Sequence, residues 1–303
     1  MFSLLFPKND PKMNQEEIQY LALMKQIIDH GDKRQTRNST CRTLFGASMS
    51  FNLSEGKFPL LTTKKVSFRN VFYELKWFLM GDCNVKFLRD NNVNIWNGNA
   101  EAHGSDDLGP IYGKQFRASG PKQIDQIAYC LDLIKNNSTS RRIVISLWNP
   151  SDLAEQALPC CKYRFFLKIR AHCPLTSLFP PGHGTVIQFF VVDGFLSLQM
   201  YQRSADVCLG LPYNVASYSL LLIMMAHCTG LQPGKMKIVL GDSHVYENHI
   251  EAATEQTKRF PLAFPELRIK NGVAHKDPAA FILGDFVLCD YQNLGQIKFD
   301  FVV

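Results

Sequence analysis

The sequence predicts an α+β fold built on a mixed sheet, and three observations carry that prediction. Strand patterns occur both as a hairpin, closed at Asp193-Gly194, and in alternation with helical patterns. The most apolar stretch, Tyr213 to Thr229, is broken by Asn214, Ser217, Ser219 and His227, which suits a buried helix better than a membrane span. No internal repeat or low-complexity linker divides the 303 residues, so a single domain over 1–303 is expected.

Taken in order, Phe2 to Phe6 is too short for the apolar core of a signal peptide. Residues 14–31 read as an amphipathic helix, with a capping-box pattern at Asn14 and Glu17 and Gly31 at its end. The Arg-, Thr- and Asn-rich stretch 34–43 reads as a loop, and the alternation around 45–53 as a strand. Residues 66–80 and 123–136 read as helices, the first stopped by Gly81. Ile143 to Trp148 and Thr185 to Val192 are β-branched and apolar, as strands should be. Asp193-Gly194 turns the second of these into a strand from Phe195 to Arg203. Asn214 is placed to cap the apolar helix, and a strand near 236–240 and a helix near 245–258 follow. Residues 159–179 fit no pattern and read as an insertion.

A net charge of +6, spread along the chain, fits small anionic ligands better than a long polyanion, so neither nucleic acid nor membrane is an expected partner. Nine cysteines, an odd number without a recurring frame, indicate free thiols in a reducing compartment, and a cytoplasmic location is expected. Arg37, Arg141, Arg142 and Arg203 each offer a planar fork of donors suited to a phosphate dianion, although any single arginine is more often solvated surface.

Four motifs stand in order: FPLLTTKK (58–65), DLGPIYGKQ (107–115), YQRSADVCLGLPYN (201–214) and GDSHVYENH (241–249). Together they resemble the thymidylate synthases, from about residue 14 to the C-terminus. The resemblance implies a large twisted mixed sheet flanked by helices, and the reductive methylation of dUMP to dTMP. It implies 5,10-methylenetetrahydrofolate as co-substrate and no metal. It also implies a homodimer packed sheet to sheet, in which Arg141 and Arg142 reach the partner's nucleotide.

Residue by residue, the resemblance puts Arg37, Arg203 and Ser204 on the phosphate, with Gln202 in the same substrate-binding set. Asn214 reads the pyrimidine edge, because a carboxamide offers one acceptor and one donor to uracil's N–H and carbonyl. Related deoxycytidylate hydroxymethylases carry an aspartate there, so Asn214 argues for uracil. His244 and Tyr246 match residues that bond the sugar 3′-hydroxyl. Glu74 matches the glutamate that works through ordered water on the uracil carbonyl, and Tyr112 the tyrosine that helps remove the carbon-5 proton. Asp206 matches the aspartate that holds the pterin ring. Lys64, Ser67, Trp96, Val302 and Val303 fall where the family contacts or closes over the folate. Each has an ordinary structural reading as well: Asn214 as a helix cap, Glu74 as an exposed helix glutamate, His244 and Tyr246 as satisfied framework side chains.

The nucleophile is the difficulty. The reaction needs a thiolate to add to carbon 6 of uracil, and the family's signature for it is Leu-Pro-Pro-Cys-His shortly after a Trp-Asn pair. Counting forward from Trp148-Asn149 selects Cys161, beside Cys160. Counting back from the 193–194 turn selects Gly182, followed by His183, and makes 159–179 the insertion. A strand running into a two-residue turn fixes register tightly, which favours the second count. Two functions therefore compete: an active synthase attacking through Cys161 or Cys160, and a catalytically impaired dUMP-binding homologue with Gly182 in the nucleophile's place. A pyrimidine hydroxymethylase is a third. Cys160, Cys161, His172 and Cys173 would make four zinc ligands, but adjacent cysteines lack the usual gap, and a solvated basic face is the plainer reading of that segment.

Overall fold

The computed structural model describes residues 14–36, 39–152 and 186–299. Helix α1 (Gln15–His30) opens as its sequence requires: Asn14 Oδ1 accepts from the amides of Glu16 and Glu17 at 3.2 Å each. The expected capping box is only half formed. Glu17 does not turn back to Asn14 but leaves the helix as a buried carboxylate, taken up by Thr62 and Thr63.

The segment 34–43 is not a loop throughout. Strand β1 (Asp32–Gln35) pairs antiparallel with the start of β2 (Thr40–Asn52), as a short and solvent-exposed edge. Four helices follow: α2 (Phe68–Leu79), α3 (Lys86–Asp90), α4 (Asn97–His103) and α5 (Tyr112–Arg117). Ser67 caps the first, and Gly81, at φ 77°, ends its chain path in a conformation that only glycine adopts without strain. Helix α6 (Gln126–Asn136) starts at Asp125, whose carboxylate accepts from the Ala128 amide, and leads to β3 (Val144–Ser146).

Strands β4 (Val186–Val192) and β5 (Phe195–Asp206) form the expected hairpin. Asp193 and Gly194 both have positive φ, 48° and 78°, as the primed turn demands. Helix α7 (Gly210–Thr229) is buried on all sides, consistent with its lack of a polar face. Asn214 lies inside this helix and not at its cap, because the chain turns helical four residues earlier. Strand β6 (Gln232–Tyr246) is three times the length expected, and the helix read at 245–258 is confined to α8 (Ile250–Thr257). The apolar periodicity of 236–240 marked only the part of β6 covered by α7; the polar continuation lines a site. A small separate ribbon pairs β7 (Glu266–Ile269) with β8 (Phe286–Cys289).

The main sheet has the order β1-β2-β6-β5-β4-β3, with β5 and β6 parallel and all other neighbours antiparallel. The mixed sheet expected from the sequence is therefore present, and it does not close. Helix α7 is the crossover that makes the one parallel pair possible. It packs on β5 and β6, while α1 packs on β2. The apolar residues between these layers, among them Leu198, Met200, Ile238, Leu240, Leu220 and Met24, are all essentially inaccessible to water. The other face of the sheet stays open: Phe190, Val192, Phe195 and Tyr201 are 64, 48, 41 and 40% exposed. Together with Gln188, Gln199, Lys235 and Lys237, the first three of these line a shallow hollow of about 780 Å³. Among the described residues, no helix is long and apolar enough to cross a membrane.

Candidate active site

The covered face of the sheet runs past the ends of the helices, and polar side chains replace apolar ones there. Register sets Gln202, Ser204 and Asp206 of β5 beside Leu240, Asp242 and His244 of β6, and Thr43 of β2 beside His244. Two-residue alternation puts Asp242, His244 and Tyr246 on one side of β6, between the buried Ser243 and Val245.

Helix α7 begins just after β5 because Asp206 bends the chain into it. Its Oδ1 accepts from the amides of Cys208 and Leu209 at 2.8 and 3.0 Å. The first turn of α7 then carries Asn214 back over β5. Asn214 is fully buried, and its Oδ1 accepts from Gln202 Nε2 at 2.9 Å, while the same Gln202 amide also donates to the Ser204 carbonyl at 3.0 Å. These bonds orient the Asn214 carboxamide. On the other face of the same strand, that of Tyr201, Arg203 carries a buried Nε with no hydrogen-bond partner among the described residues, an unmet donor that an anion would satisfy.

A second wall comes from α2, α4 and α5. Glu74 is 5% exposed on α2, and Trp96 Nε1 donates to its Oε1 at 2.7 Å. Burial raises the Glu74 pKa to about 7, and the Trp96 hydrogen bond opposes that rise. Glu74 is therefore not the exposed helix glutamate of its ordinary structural reading, and Phe72, Leu75 and Trp77 on the same helix are themselves buried. Tyr112 stands on the other side of Trp96 and Phe78, its ring 6.4 and 5.4 Å from theirs. Tyr213, next to Asn214, has its phenol pKa raised by burial and then by the charge of Glu74, which places the two walls side by side.

The third wall is the TTKK segment. Lys64, 5% exposed, donates to the Cys208 carbonyl and lies 4.9 Å from the Phe299 ring. Burial lowers its pKa to about 8, and the nearby Cys208 and Asp206 work against that fall. Helix α1 holds this wall in place. Glu17 accepts from the Thr62 and Thr63 amides at 2.9 and 2.8 Å and from both hydroxyls at 2.7 Å. One turn on, Tyr20 donates to the Val207 carbonyl at 2.9 Å. Nothing in the sequence pattern marked Glu17 for this role beyond its place in an otherwise apolar helix face.

Asp206, Cys208 and His249 are buried and place one ligand atom each within 4.8 Å of one another. Such donors suit a soft divalent cation, yet the Lys64 ammonium beside them already supplies positive charge, and Asp206 Oδ1 is committed to two amides.

The structure therefore gathers Glu74, Trp96 and Tyr112 on one side and Gln202, Ser204, Asp206, Asn214, His244, Tyr246 and Lys64 around the strand ends, with Arg203 on the other face of β5. Arg141 and Arg142 are elsewhere. Both are exposed on the turn before the edge strand β3 and form no ion pair among the described residues. Arg37, Cys160, Cys161, Gly182, His183, Val302, Val303 and the segment 159–179 lie outside the described residues. A sequence model of the thymidylate synthase family matches residues 18–303, nearly the whole chain. The chain is a member of the thymidylate synthase family. Thymidylate synthases bind dUMP and use methylenetetrahydrofolate as co-substrate.

Proposed function

We propose that the protein converts dUMP to dTMP, and that one carboxamide carries the choice of base. Asn214 is buried and turned by Gln202 so that donor and acceptor are fixed, which matches the N–H and carbonyl edge of uracil. Arg203, with Ser204 and Arg37, takes the phosphate, and His244 with Tyr246 takes the sugar. Asp206, Lys64, Trp96 and Val302 are assigned to the folate.

The chemistry then runs in order. A thiolate, assigned to Cys161, adds to carbon 6 of the base, and carbon 5 becomes nucleophilic and bonds to the folate's methylene carbon. The carbon-5 proton leaves toward Tyr112. Glu74, poised near neutrality by burial, exchanges a proton with the base carbonyl through water. Of the methylene carbon's two bonds to folate nitrogens, one breaks as carbon 5 attacks and the other as the carbon-5 proton leaves. A hydride from the freed tetrahydrofolate then completes the methyl group, the carbon–sulfur bond breaks to restore the thiolate, and dihydrofolate departs. No metal takes part in these steps.

The exposed sheet face supports a homodimer. A contiguous apolar surface containing Phe190, Val192 and Phe195 belongs against another surface, and a two-fold partner supplies the same one. Arg141 and Arg142, exposed and without an ion pair among the described residues, are then available to the neighbour's phosphate. The chain is taken as one domain, with 159–179 as an insertion, working in the cytoplasm.

A second reading is favoured by one observation. Strand β4 pairs with β3 from Val186 to Gln188 and with β5 as far as the 193–194 turn. Both sides of β4 are thus fixed in register, which supports counting back to Gly182. With glycine there, the protein binds dUMP without turning it over. Incubation with a fluorinated deoxyuridylate and methylenetetrahydrofolate separates the two. An adduct localised by mass spectrometry to Cys161 or Cys160 supports the synthase. Nucleotide binding without adduct, together with activity gained by Gly182→Cys, supports the second reading. Absence of nucleotide binding sinks both.

A further inference from the structure

We propose that Asp242 is a positioning residue that fixes which ring nitrogen of His244 carries the proton, and thereby makes the site select nucleotides with a free 3′-hydroxyl. This rests on the nucleotide reading above, but the tautomer itself follows from the geometry alone.

Asp242 and His244 are two residues apart on β6 and so share a face. Asp242 Oδ1 lies 3.3 Å from His244 Nδ1 and accepts from Thr43 Oγ1 at 2.7 Å. Its other oxygen, Oδ2, accepts from Arg34 Nη1 at 3.0 Å. Burial of Asp242 works against ionisation, but the hydrogen bonds from His244 and Thr43 outweigh it and hold the carboxyl below its usual range. An ionised carboxylate only accepts, so the proton of a neutral His244 sits on Nδ1 and Nε2 is left as an acceptor. The Tyr246 ring lies 5.1 Å from that of His244 on the same side of the strand. Its hydroxyl is able to donate. The pair thus offers one acceptor and one donor, the complement of a hydroxyl, which both gives and takes a hydrogen bond.

Arg34 makes this arrangement testable. Arginine has no acceptor, so in Asp242→Asn the amide oxygen must stay at the Arg34 side. The amide nitrogen then occupies the position of Oδ1 and donates to His244 Nδ1 and Thr43 Oγ1. The ring is forced into the opposite tautomer, with Nε2–H pointing where an acceptor is needed.

Imidazole ¹⁵N spectra of the full-length protein are expected to show His244 protonated at Nδ1, and the Asp242→Asn protein to show it protonated at Nε2. Thr43→Val, which leaves the carboxylate facing the ring, should keep the original tautomer. Titration with dUMP and with its 2′,3′-dideoxy analogue should give a preference for dUMP of roughly tenfold, the worth of one to two hydrogen bonds. That preference should vanish in Asp242→Asn and persist in Thr43→Val. An Nε2–H tautomer in the unaltered protein overturns the proposal, whether or not the variant folds. Retention of the dUMP preference by Asp242→Asn overturns the selection. Failure of the unaltered protein to bind either nucleotide overturns the nucleotide reading and the selection with it, while the spectra still decide the tautomer.

Discussion

Replacing Glu74 by Gln should make the protein more stable at neutral pH and leave it nearly unchanged in mild acid. The reasoning starts from a carboxyl whose pKa is raised by burial from 4.5 to about 7. Between those two values the unfolded chain has already lost the proton that the folded chain keeps. Ionising Glu74 inside the fold therefore becomes a growing penalty as pH rises through that window. Each tenfold change in acid strength is worth about 1.36 kcal/mol, so the penalty is about 1 kcal/mol at pH 5, about 2 at pH 6 and about 3 above pH 7. Glutamine has the same shape, still accepts from Trp96 Nε1, and does not titrate. Urea unfolding of both proteins at one fixed protomer concentration, at pH 4.5, 6 and 7.5, measures the difference. With a slope near 3 kcal/mol per molar, the variant's midpoint should move ahead by roughly 1 M at pH 7.5. Activity should fall steeply in the same variant, because the group that exchanges protons with the base is gone. A stability gap that does not change between pH 4.5 and 7.5 would refute the reasoning, since it would mean Glu74 is not held near neutrality by its surroundings.

Four further outcomes follow from the same geometry. Asn214→Asp should weaken dUMP binding by roughly 10- to 100-fold and improve binding of dCMP, measured by calorimetric titration with both, since a buried donor is exchanged for an acceptor. Arg203→Ala should cut dUMP affinity by roughly 30-fold or more and flatten its salt dependence, with thermal unfolding little changed. Glu17→Gln should destabilise the fold by roughly 2–4 kcal/mol in denaturant titration, because four donors converge on that carboxylate and the amide nitrogen meets them with a donor of its own. Phe190→Asp should convert a dimer to monomers in sedimentation velocity, as a charge placed in the apolar sheet face opposes its burial.

Much of the fold was legible where a local rule has a single physical cause. Asp193-Gly194 demands positive φ at both residues and so reads as a turn; Gly81 and the β-branched run of β4 are equally direct. Strand β6 outruns its apolar alternation because beyond Leu240 one side of it carries Asp242, His244 and Tyr246, whose polarity hides the period. Glu17 misled for a related reason. Its spacing from Asn14 fits a capping box, but four donors of a distant segment outcompete one backbone amide. For the site, the motif around 201–214 showed which residues matter, whereas the bonds that orient them did not show in sequence. The Gln202–Asn214 contact depends on the start of α7 folding back over β5, and that bend is made by Asp206, four residues on from Gln202.

Helix α1 carries no proposed ligand contact, yet two of its side chains, three residues apart, grip two separate segments beside the site. Glu17 pins the loop that bears Lys64, and Tyr20 pins the bend that bears Asp206. The distance between the two grips is set by three residues of helical rise, about 4.5 Å, and the Lys64 hydrogen bond to the Cys208 carbonyl ties the two gripped segments to each other. A rigid rod outside the chemistry thus holds together two segments far apart in sequence, and any slip of that rod moves both.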